Sequence, residues 1–371
     1  MIDNTVLRND EKAVFALRSL YRKYGYTQYK MSKFEEYDLY VRNKDFLVSE
    51  NVITFNDTDG RLMALKPDVT LSIIKNTKET KDYVQKVYYD ENVYRVSKGT
   101  NAFKEIMQVG LECIGAVDDY CIFEVLMLAA ESLNSISGDF ILDVSHLGIL
   151  SALLEELHLS PEAEKEVIAC ISEKNVHGIE NVCQKEQKDG FKLKKLAATY
   201  GSPETVLPVL KELSESDAVQ TAVAQLEKVL LMLKNFSVSE KIRLDFSVIN
   251  DTHYYNGIVF KGFVNGIPTG ILAGGQYDKL MQKMKRNTKA IGFAVYLDLL
   301  ERLNENTESY DVDAVILYDE DANADALYNA VKLLTDNGKR VMVQRSVPEK
   351  IRYKQLLKLQ ERGVEIVENN A

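Results

Sequence analysis

The sequence predicts an α+β fold in which an antiparallel sheet is flanked by helices, with a helical insertion and a small C-terminal α/β module. Three observations support this prediction. Two long runs of strand character, at 84–96 and 105–115, are joined by a short loop, which favours an antiparallel pair. Apolar residues recur at helical spacing over 147–236, and strand and helix patterns alternate over 310–371.

The N-terminal part combines one helix with short β-rich pieces. Residues 10–24 are predicted to be helical because their apolar side chains recur at helical spacing, and Gly25 is a natural terminator. Pro67 opens a second helix that runs to about Asn76. Between these helices the sequence predicts three short strands, at 37–41, 52–55 and 62–65. A hairpin turn at 57–60 joins the second strand to the third.

After the strand pair, Asp118 and Asp119 can cap a helix, and an apolar strand follows at 139–144. The helical stretch that begins near residue 147 is broken by glycines and prolines. Three strands are then predicted at 242–248, 256–264 and 268–273, and a helix is predicted at 291–304. A linker at 304–308 precedes the C-terminal module. In the module the sequence predicts strands at 314–317, 340–343 and 364–367, with helices between them at 322–337 and 349–361.

These elements suggest a division of the 371 residues into three regions. We expect a core formed by residues 1–146 and 240–304. Residues 147–239 form the helical insertion, and residues 310–371 form the small C-terminal α/β domain.

Composition excludes several classes of protein. The net charge is −10, and the basic clusters at 192–195 and 283–286 are short and read as solvated faces, so we expect no nucleic-acid partner. The four cysteines form no CxxC pair, which predicts reduced core thiols, no metal site and no disulfide framework. We expect no secretory signal and no membrane span, and therefore a cytoplasmic protein.

Two polar clusters lie where polar residues are costly to bury. In the segment Lys66-Pro67-Asp68-Val69-Thr70, a carboxylate at a strand-to-helix junction can cap the helix or hold an ammonium group. In Gln108-Val109-Gly110-Leu111-Glu112, alternation places the first, third and fifth residues on one face, where the glycine leaves space for a small molecule. The alternative for the second cluster is an ordinary edge-strand face.

The third cluster combines tyrosines and glycines. Tyr254 and Tyr255 precede the segment Gly274-Gly275-Gln276-Tyr277-Asp278. Adjacent tyrosines on a strand face opposite sides, so we expect only one of them to enter a pocket. The glycine pair lets the backbone approach closely. Core packing is the alternative explanation for the tyrosine pair.

In order and spacing, five segments resemble the histidyl-tRNA synthetase family, and more closely its non-catalytic paralogues, the regulatory subunits of short-form ATP phosphoribosyltransferase. The segments are 65–70, 108–112, 254–260, 274–278 and 292–294. The resemblance covers about residues 8–145 and 240–304 and implies the fold of a class II aminoacyl-tRNA synthetase.

The resemblance also implies a histidine-binding pocket. Asp68, Thr70 and Gln108 suit the ammonium group of histidine, and Glu112 and Tyr255 suit its imidazole, with its donor and acceptor nitrogens. Tyr254 joins this histidine-binding set. Further candidates for the pocket are Arg95, Gly110, Gly274 and Gly275. No catalytic residue, metal or cofactor is expected.

The departures from the synthetase pattern concern cations. Asn250 replaces the catalytic arginine, and Asp251 adds an anion beside it. Leu299 stands where the family has its ATP-binding arginine, and Arg302 lies one helical turn later. Two smaller departures are Ser97, in place of a glutamate, and Ser32, in place of a proline. Adenylation needs cations aimed at the triphosphate, so these changes predict the loss of ATP chemistry.

The resemblance therefore implies a non-catalytic regulatory subunit that is needed for the activity of a short catalytic subunit and carries feedback inhibition by histidine. It implies a homodimer within a hetero-octamer. Two alternatives remain at this point. One is an active histidyl-tRNA synthetase with relocated arginines, and the other is a synthetase-like paralogue with a different substrate. Both alternatives require ATP binding.

Overall fold

The computed structural model describes residues 7–44, 47, 51–77, 83–96, 102–249, 254–303 (without the side chains of 301–303), 310–347, 349–360 and 363–370. The chain divides into two compact units, Met1–Leu303 and Asn304–Ala371. No helix in the described ranges is both long enough and apolar enough to cross a membrane.

Among its described residues, the first unit begins with three helices and four short strands that lead into the long strand pair. The elements up to residue 146 are α1 (Asn9–Lys23), β1 (Thr27–Gln28), β2 (Phe34–Glu36), α2 (Tyr37–Arg42), β3 (Thr54–Asn56), β4 (Leu62–Leu65), α3 (Thr70–Asn76), β5 (Val84–Val96), β6 (Phe103–Gly115), α4 (Asp119–Ile136) and β7 (Phe140–His146). The side chain of Asp118 accepts a hydrogen bond from the Cys121 N–H and caps α4, as predicted.

A helical region and a second group of strands complete this unit. The helical region contains α5 (Leu147–Leu157), α6 (Pro161–Ser172), α7 (Val176–Lys185), α8 (Phe191–Ala198), the two-residue strand β8 (Tyr200–Gly201), α9 (Pro203–Lys211) and α10 (Asp217–Leu233). The remaining elements are β9 (Ile242–Asp245), β10 (Ile258–Val264), β11 (Leu272–Gln276), α11 (Asp278–Lys283), β12 (Lys289–Tyr296) and a 3₁₀ segment, Leu297–Leu303.

One large sheet organises the first unit. In the described part of the chain it contains nine strands in the order β1-β5-β6-β12-β11-β10-β7-β9-β8. Most pairs are antiparallel, and the β1–β5 and β7–β9 pairs are parallel. The sheet is flanked by helices, so the predicted α+β class is confirmed. A smaller antiparallel sheet has the order β2-β4-β3.

The large sheet separates two hydrophobic cores. The larger core includes α1, α4, one face of the sheet and the helices from α5 to α10, so the helical region shares its buried residues with the sheet. The smaller core lies on the opposite face, where α3, α11 and the loop at Tyr254 pack against β5 and β6. The polar cavity described below opens in the smaller core.

Two predicted elements of the first unit are wrong in type. Residues 37–41 form helix α2, because Tyr37 and Tyr40, one turn apart, pack into the same core. Residues 291–296 were predicted to begin a helix, but they belong to strand β12, which pairs with β6 and β11. The segment that follows, Leu297–Leu303, is a 3₁₀ helix.

Several predicted boundaries shift by a few residues. Helix α3 begins at Thr70 rather than at Pro67. The strands predicted at 52–55 and 268–273 occur as Thr54–Asn56 and Leu272–Gln276. The predicted hairpin turn joins β3 and β4, and Gly60 there has a φ of +86°, which only glycine adopts readily.

The second unit is a small α/β sheet. Its elements are β13 (Val312–Leu317), α12 (Ala324–Asp336), β14 (Val341–Gln344), β15 (Tyr353–Gln360) and β16 (Gly363–Asn369). The strand order is β14-β13-β15-β16, with parallel pairs except for β15–β16. The helix predicted at 349–361 is wrong, because this segment supplies strand β15 between two neighbouring strands.

Candidate functional site

A cavity of about 350 Å³ opens on the face of the large sheet that carries the smaller core. Strands β5, β6 and β12 form its floor, and the start of α3, the loop at Tyr254 and the residue after β11 form its walls. Its lining residues are Leu47, Asp68, Val69, Thr70, Tyr89, Arg95, Gln108, Glu112, Tyr254, Tyr255, Ala273, Tyr277, Gly292, Phe293, Ala294 and Tyr296. All six residues predicted to bind histidine are therefore brought together, and so is Arg95.

Glu112 is the most deeply held acid of the cavity, with 2% of its surface exposed. Its Oε1 accepts a hydrogen bond from Thr70 Oγ1 at 2.7 Å, and its Oε2 accepts one from Tyr277 Oη at 2.6 Å. Burial raises the pKa of this carboxyl group to about 8, although both hydrogen bonds act in the opposite direction. Burial therefore favours the protonated form of Glu112 more than water does.

Asp68 has the first of the two roles that the sequence left open, and its contact with an ammonium group stays a prediction. Its Oδ1 accepts a hydrogen bond from the Leu71 N–H at 2.9 Å, which caps the first turn of α3. Its Oδ2 lies 3.7 Å from Arg95 Nη2 and faces the cavity. Burial raises the pKa of Asp68, and the Arg95 guanidinium lowers it to a smaller extent.

Arg95 is fixed by the backbone at the entrance to α3. Its Nε donates a hydrogen bond to the Pro67 carbonyl oxygen at 2.7 Å, and the residue is only 8% exposed. Arg95 also lines the cavity, with its Nη2 near Asp68. A buried arginine held in this way is suited to an anionic group of a ligand.

Gln108 carries an unsatisfied donor. It is 2% exposed, and within the described residues no atom accepts a hydrogen bond from its Nε2. A buried donor without a partner costs roughly 1–3 kcal/mol. Because Gln108 lines the cavity, a bound ligand with an acceptor oxygen or nitrogen would relieve this cost.

The tyrosine pair departs from the prediction. Tyr254 and Tyr255 both line the cavity, with ring centroids 4.6 Å apart. They precede β10 in an irregular loop, so the alternation of a strand does not apply. Tyr277 was quoted within its motif but was not selected as a site residue. Its ring packs 5.8 Å from that of Tyr254, and its hydroxyl holds Glu112.

The glycines of the motifs make room for side chains. A Cβ atom at Gly110 would lie 2.5 Å from the Tyr89 hydroxyl, and one at Gly275 would lie 2.8 Å from the Tyr255 ring. Gly274 faces the larger core instead, against Phe260. None of these three lines the cavity. Gly292, which the sequence interpretation missed, provides the space in which the Glu112 carboxylate lies.

Comparisons with known proteins identify the family of this chain. A family model described as Histidyl-tRNA synthetase matches residues 4–300. An ATP phosphoribosyltransferase regulatory subunit of Thermoanaerobacter sp. (strain X514) is 31% identical over 336 residues, which is 87% of either chain. The chain belongs to the histidyl-tRNA synthetase family, among its ATP phosphoribosyltransferase regulatory subunits.

Solved structures show the same fold. The crystal structure of an ATP phosphoribosyltransferase regulatory subunit/histidyl-tRNA synthetase from Bacillus halodurans C has a TM-score of 0.75, with 22% identity and coverage of 96% of each chain. The ATP phosphoribosyl transferase (HisG:HisZ) complex from Thermotoga maritima has a TM-score of 0.62, with 21% identity and coverage of 78% of this chain and 97% of that chain. The class II synthetase-like fold expected from the sequence is confirmed.

Some departures of this regulatory-subunit chain from the synthetase pattern can be located. Leu299 packs against the larger core. The Ser32 hydroxyl accepts a hydrogen bond from the Phe34 N–H. Asn250, Asp251 and Ser97 lie outside the described residues, as does the side chain of Arg302. Arg95 is the only cationic side chain among the described residues that line the cavity.

Proposed function

We propose that this chain is the non-catalytic regulatory subunit of an ATP phosphoribosyltransferase, the enzyme of the first step of histidine biosynthesis. In this role it is needed for the activity of a short catalytic subunit, and it carries feedback inhibition by histidine. The observation that supports the proposal is an amino-acid-sized cavity lined by acidic, basic and amide groups, in a chain that has Leu299 where the family has its ATP-binding arginine. The curated relatives bear the corresponding name.

The cavity offers a partner for each polar group of histidine. Glu112, held by Thr70 and Tyr277, faces the imidazole, and its pKa of about 8 lets it donate to or accept from a ring nitrogen near neutral pH. Asp68 receives the ammonium group. Arg95 receives the carboxylate, because a carboxylate buried without a cation is costly.

The partner in this proposal is the short catalytic subunit, and the Thermotoga maritima structure of similar fold is a HisG:HisZ complex. We further propose a homodimer of this chain within a cytoplasmic hetero-octamer. Feedback inhibition requires histidine to favour one state of the assembly, with a coupling free energy typically of about 1–3 kcal/mol. Histidine in the cavity would contact α3, β6 and the loop at Tyr254 at the same time. By holding these elements together, it would favour one state of the assembly.

The test combines this chain with a short ATP phosphoribosyltransferase catalytic subunit. We expect activity in the mixture, little activity in the catalytic subunit alone, and inhibition by histidine. Glu112→Ala should abolish the inhibition, because it removes the carboxyl group that is proposed to contact the imidazole. The variant should retain the activation, because Glu112 is buried and the surface of the chain is unchanged. Glu320→Ala, at a side chain that is 88% exposed, is the matched control and should behave as wild type.

One outcome would favour the synthetase alternative. Histidine-dependent exchange of pyrophosphate into ATP at the rate of an active synthetase would show that the chain binds and activates ATP. The regulatory proposal predicts no such exchange, with or without the catalytic subunit.

A further inference from the structure

The row of side chains that β12 presents to the cavity ends in a large residue. Residues 291, 293 and 295 are buried in the larger core, so the alternate residues face the cavity. These are Gly292, Ala294 and Tyr296, and all three line it. The strand register places them opposite Glu112, Gly110 and Gln108. A large β12 side chain therefore stands at the Gln108 end of the floor, and a glycine stands at the Glu112 end.

Tyr296 is held firmly at this end. Its N–H donates a hydrogen bond to the Ile271 carbonyl oxygen at 2.8 Å, and the next residue, Leu297, is fully buried. Tyr296 and Tyr255 both line the cavity, so their rings limit the space that is open to a ligand.

The ligand pose follows from the floor of the cavity. In the pose proposed above, the imidazole lies at Glu112 and the amino-acid end extends along β6 towards Gln108, which the register places opposite Tyr296. We place the carboxyl group of this end on the Tyr296 side. The cavity volume of about 350 Å³ is at the lower end of the range for ligand sites, roughly 300–1,000 Å³. A substituent on the carboxyl group would have to enter the space that the tyrosine ring fills.

We propose that Tyr296 is a specificity-determining residue that restricts the cavity to the free amino acid and excludes carboxyl-substituted forms. The inference rests on the histidine pose of the proposed function. It accounts for selectivity by size, separately from the charge contact with Arg95. The phenol ring is the required feature, and its hydroxyl group is not.

The test compares the methyl ester and the benzyl ester of histidine, which differ in the size of the carboxyl substituent. Isothermal titration calorimetry measures binding of L-histidine, its methyl ester and its benzyl ester to the full-length chain. Both esters lack the carboxylate charge, so their affinity ratio reports size alone. We expect the benzyl ester to bind wild type at least about tenfold more weakly than the methyl ester, as overpacking of a filled site predicts.

The variants separate ring volume from other effects. In Tyr296→Ala the two esters should bind within about threefold of each other, and Tyr296→Leu, which keeps an apolar side chain at the position, should also reduce the ratio. Tyr296→Phe should keep the wild-type ratio. Tyr328→Ala, at a residue that is 64% exposed in the second unit, is the control and should change nothing.

The outcomes distinguish this inference from the proposed function. If wild type binds L-histidine but the ester ratio is the same in wild type, Tyr296→Ala and Tyr296→Leu, then Tyr296 does not set the ligand size and the inference is overturned. If wild type binds no L-histidine, the proposed effector site is overturned, and the inference with it.

Discussion

Replacing Glu112 with glutamine should remove a pH-dependent loss of stability. Burial raises the pKa of Glu112 from the ordinary value of 4.5 to about 8 in the folded chain. Glutamine keeps the shape of the side chain but does not titrate. One of the two hydroxyl groups that donate to Glu112 would lose its acceptor, at a pH-independent cost of about 1 kcal/mol.

The sign and size of the effect follow from proton linkage. Below about pH 4.5 the carboxyl group is protonated in both states and has no effect. As the pH rises from there towards 8, the unfolded chain releases the proton and the folded chain retains it, so the free energy of unfolding falls. Each pH unit is worth about 1.36 kcal/mol, so the wild type should lose about 4 kcal/mol between pH 5 and pH 8 through this group.

Urea denaturation followed by circular dichroism measures the effect. The free energy of unfolding is determined at pH 5 and at pH 8 for both proteins, and the wild-type change is compared with the change in Glu112→Gln. Other titrating groups, such as the buried Asp143, are common to both proteins and cancel. If the two proteins lose the same stability between pH 5 and pH 8, the buried acid does not have a raised pKa and the reasoning is refuted.

Three further predictions concern the cavity and the core. Asp68→Asn should weaken histidine binding by about 10- to 100-fold in calorimetry, because a charge-assisted contact is lost, while the assembly measured by size-exclusion chromatography stays intact. Gly292→Ala should cost about 1–3 kcal/mol of stability and weaken histidine binding, because the added methyl group overlaps the buried carboxylate; Gly138→Ala, whose Cβ would meet nothing within 4 Å, should cost little. Leu226→Ala, at a fully buried position of α10, should lower the free energy of unfolding by about 2–5 kcal/mol, whereas Leu231→Ala on the same helix, 59% exposed, should change it by less than about 0.5 kcal/mol. Equal effects in that last pair would contradict a core shared between the helical region and the sheet.

Sequence patterns were reliable where one long element has one clear period. The bounds of the paired strands β5 and β6 were predicted to within two residues. The prediction that Gln108 and Glu112 share one face of a strand is also confirmed, because both line the cavity. The order of motifs also predicted which polar residues meet around the cavity. These features depend on strand alternation and on a run of five motifs, both of which are properties of the chain itself.

Patterns failed where neighbouring elements determine the outcome. The segment that contains β15 is rich in residues that favour helices, and the strand residues of β12 run directly into the helical segment 297–303. Both are strands, because each lies between two strands that satisfy its backbone hydrogen bonds. Local propensities differ by less than about 1 kcal/mol per residue, so pairing and burial outweigh them. Tyr277 was missed for the same reason, because its contact with Glu112 joins residues that are 165 positions apart.

The sequence by itself determined the class of fold, the polar residues of the site and the replacement of expected cations. The tertiary structure alone decided that Tyr254 and Tyr255 both enter the cavity, that Gly110 makes room for Tyr89, and that Glu112 is buried deeply enough to raise its pKa. The physical reason is that burial is a property of all the elements that surround a group. The carboxylate of Glu112 has no defined dielectric environment in the sequence until the strands, a helix and a loop close around it.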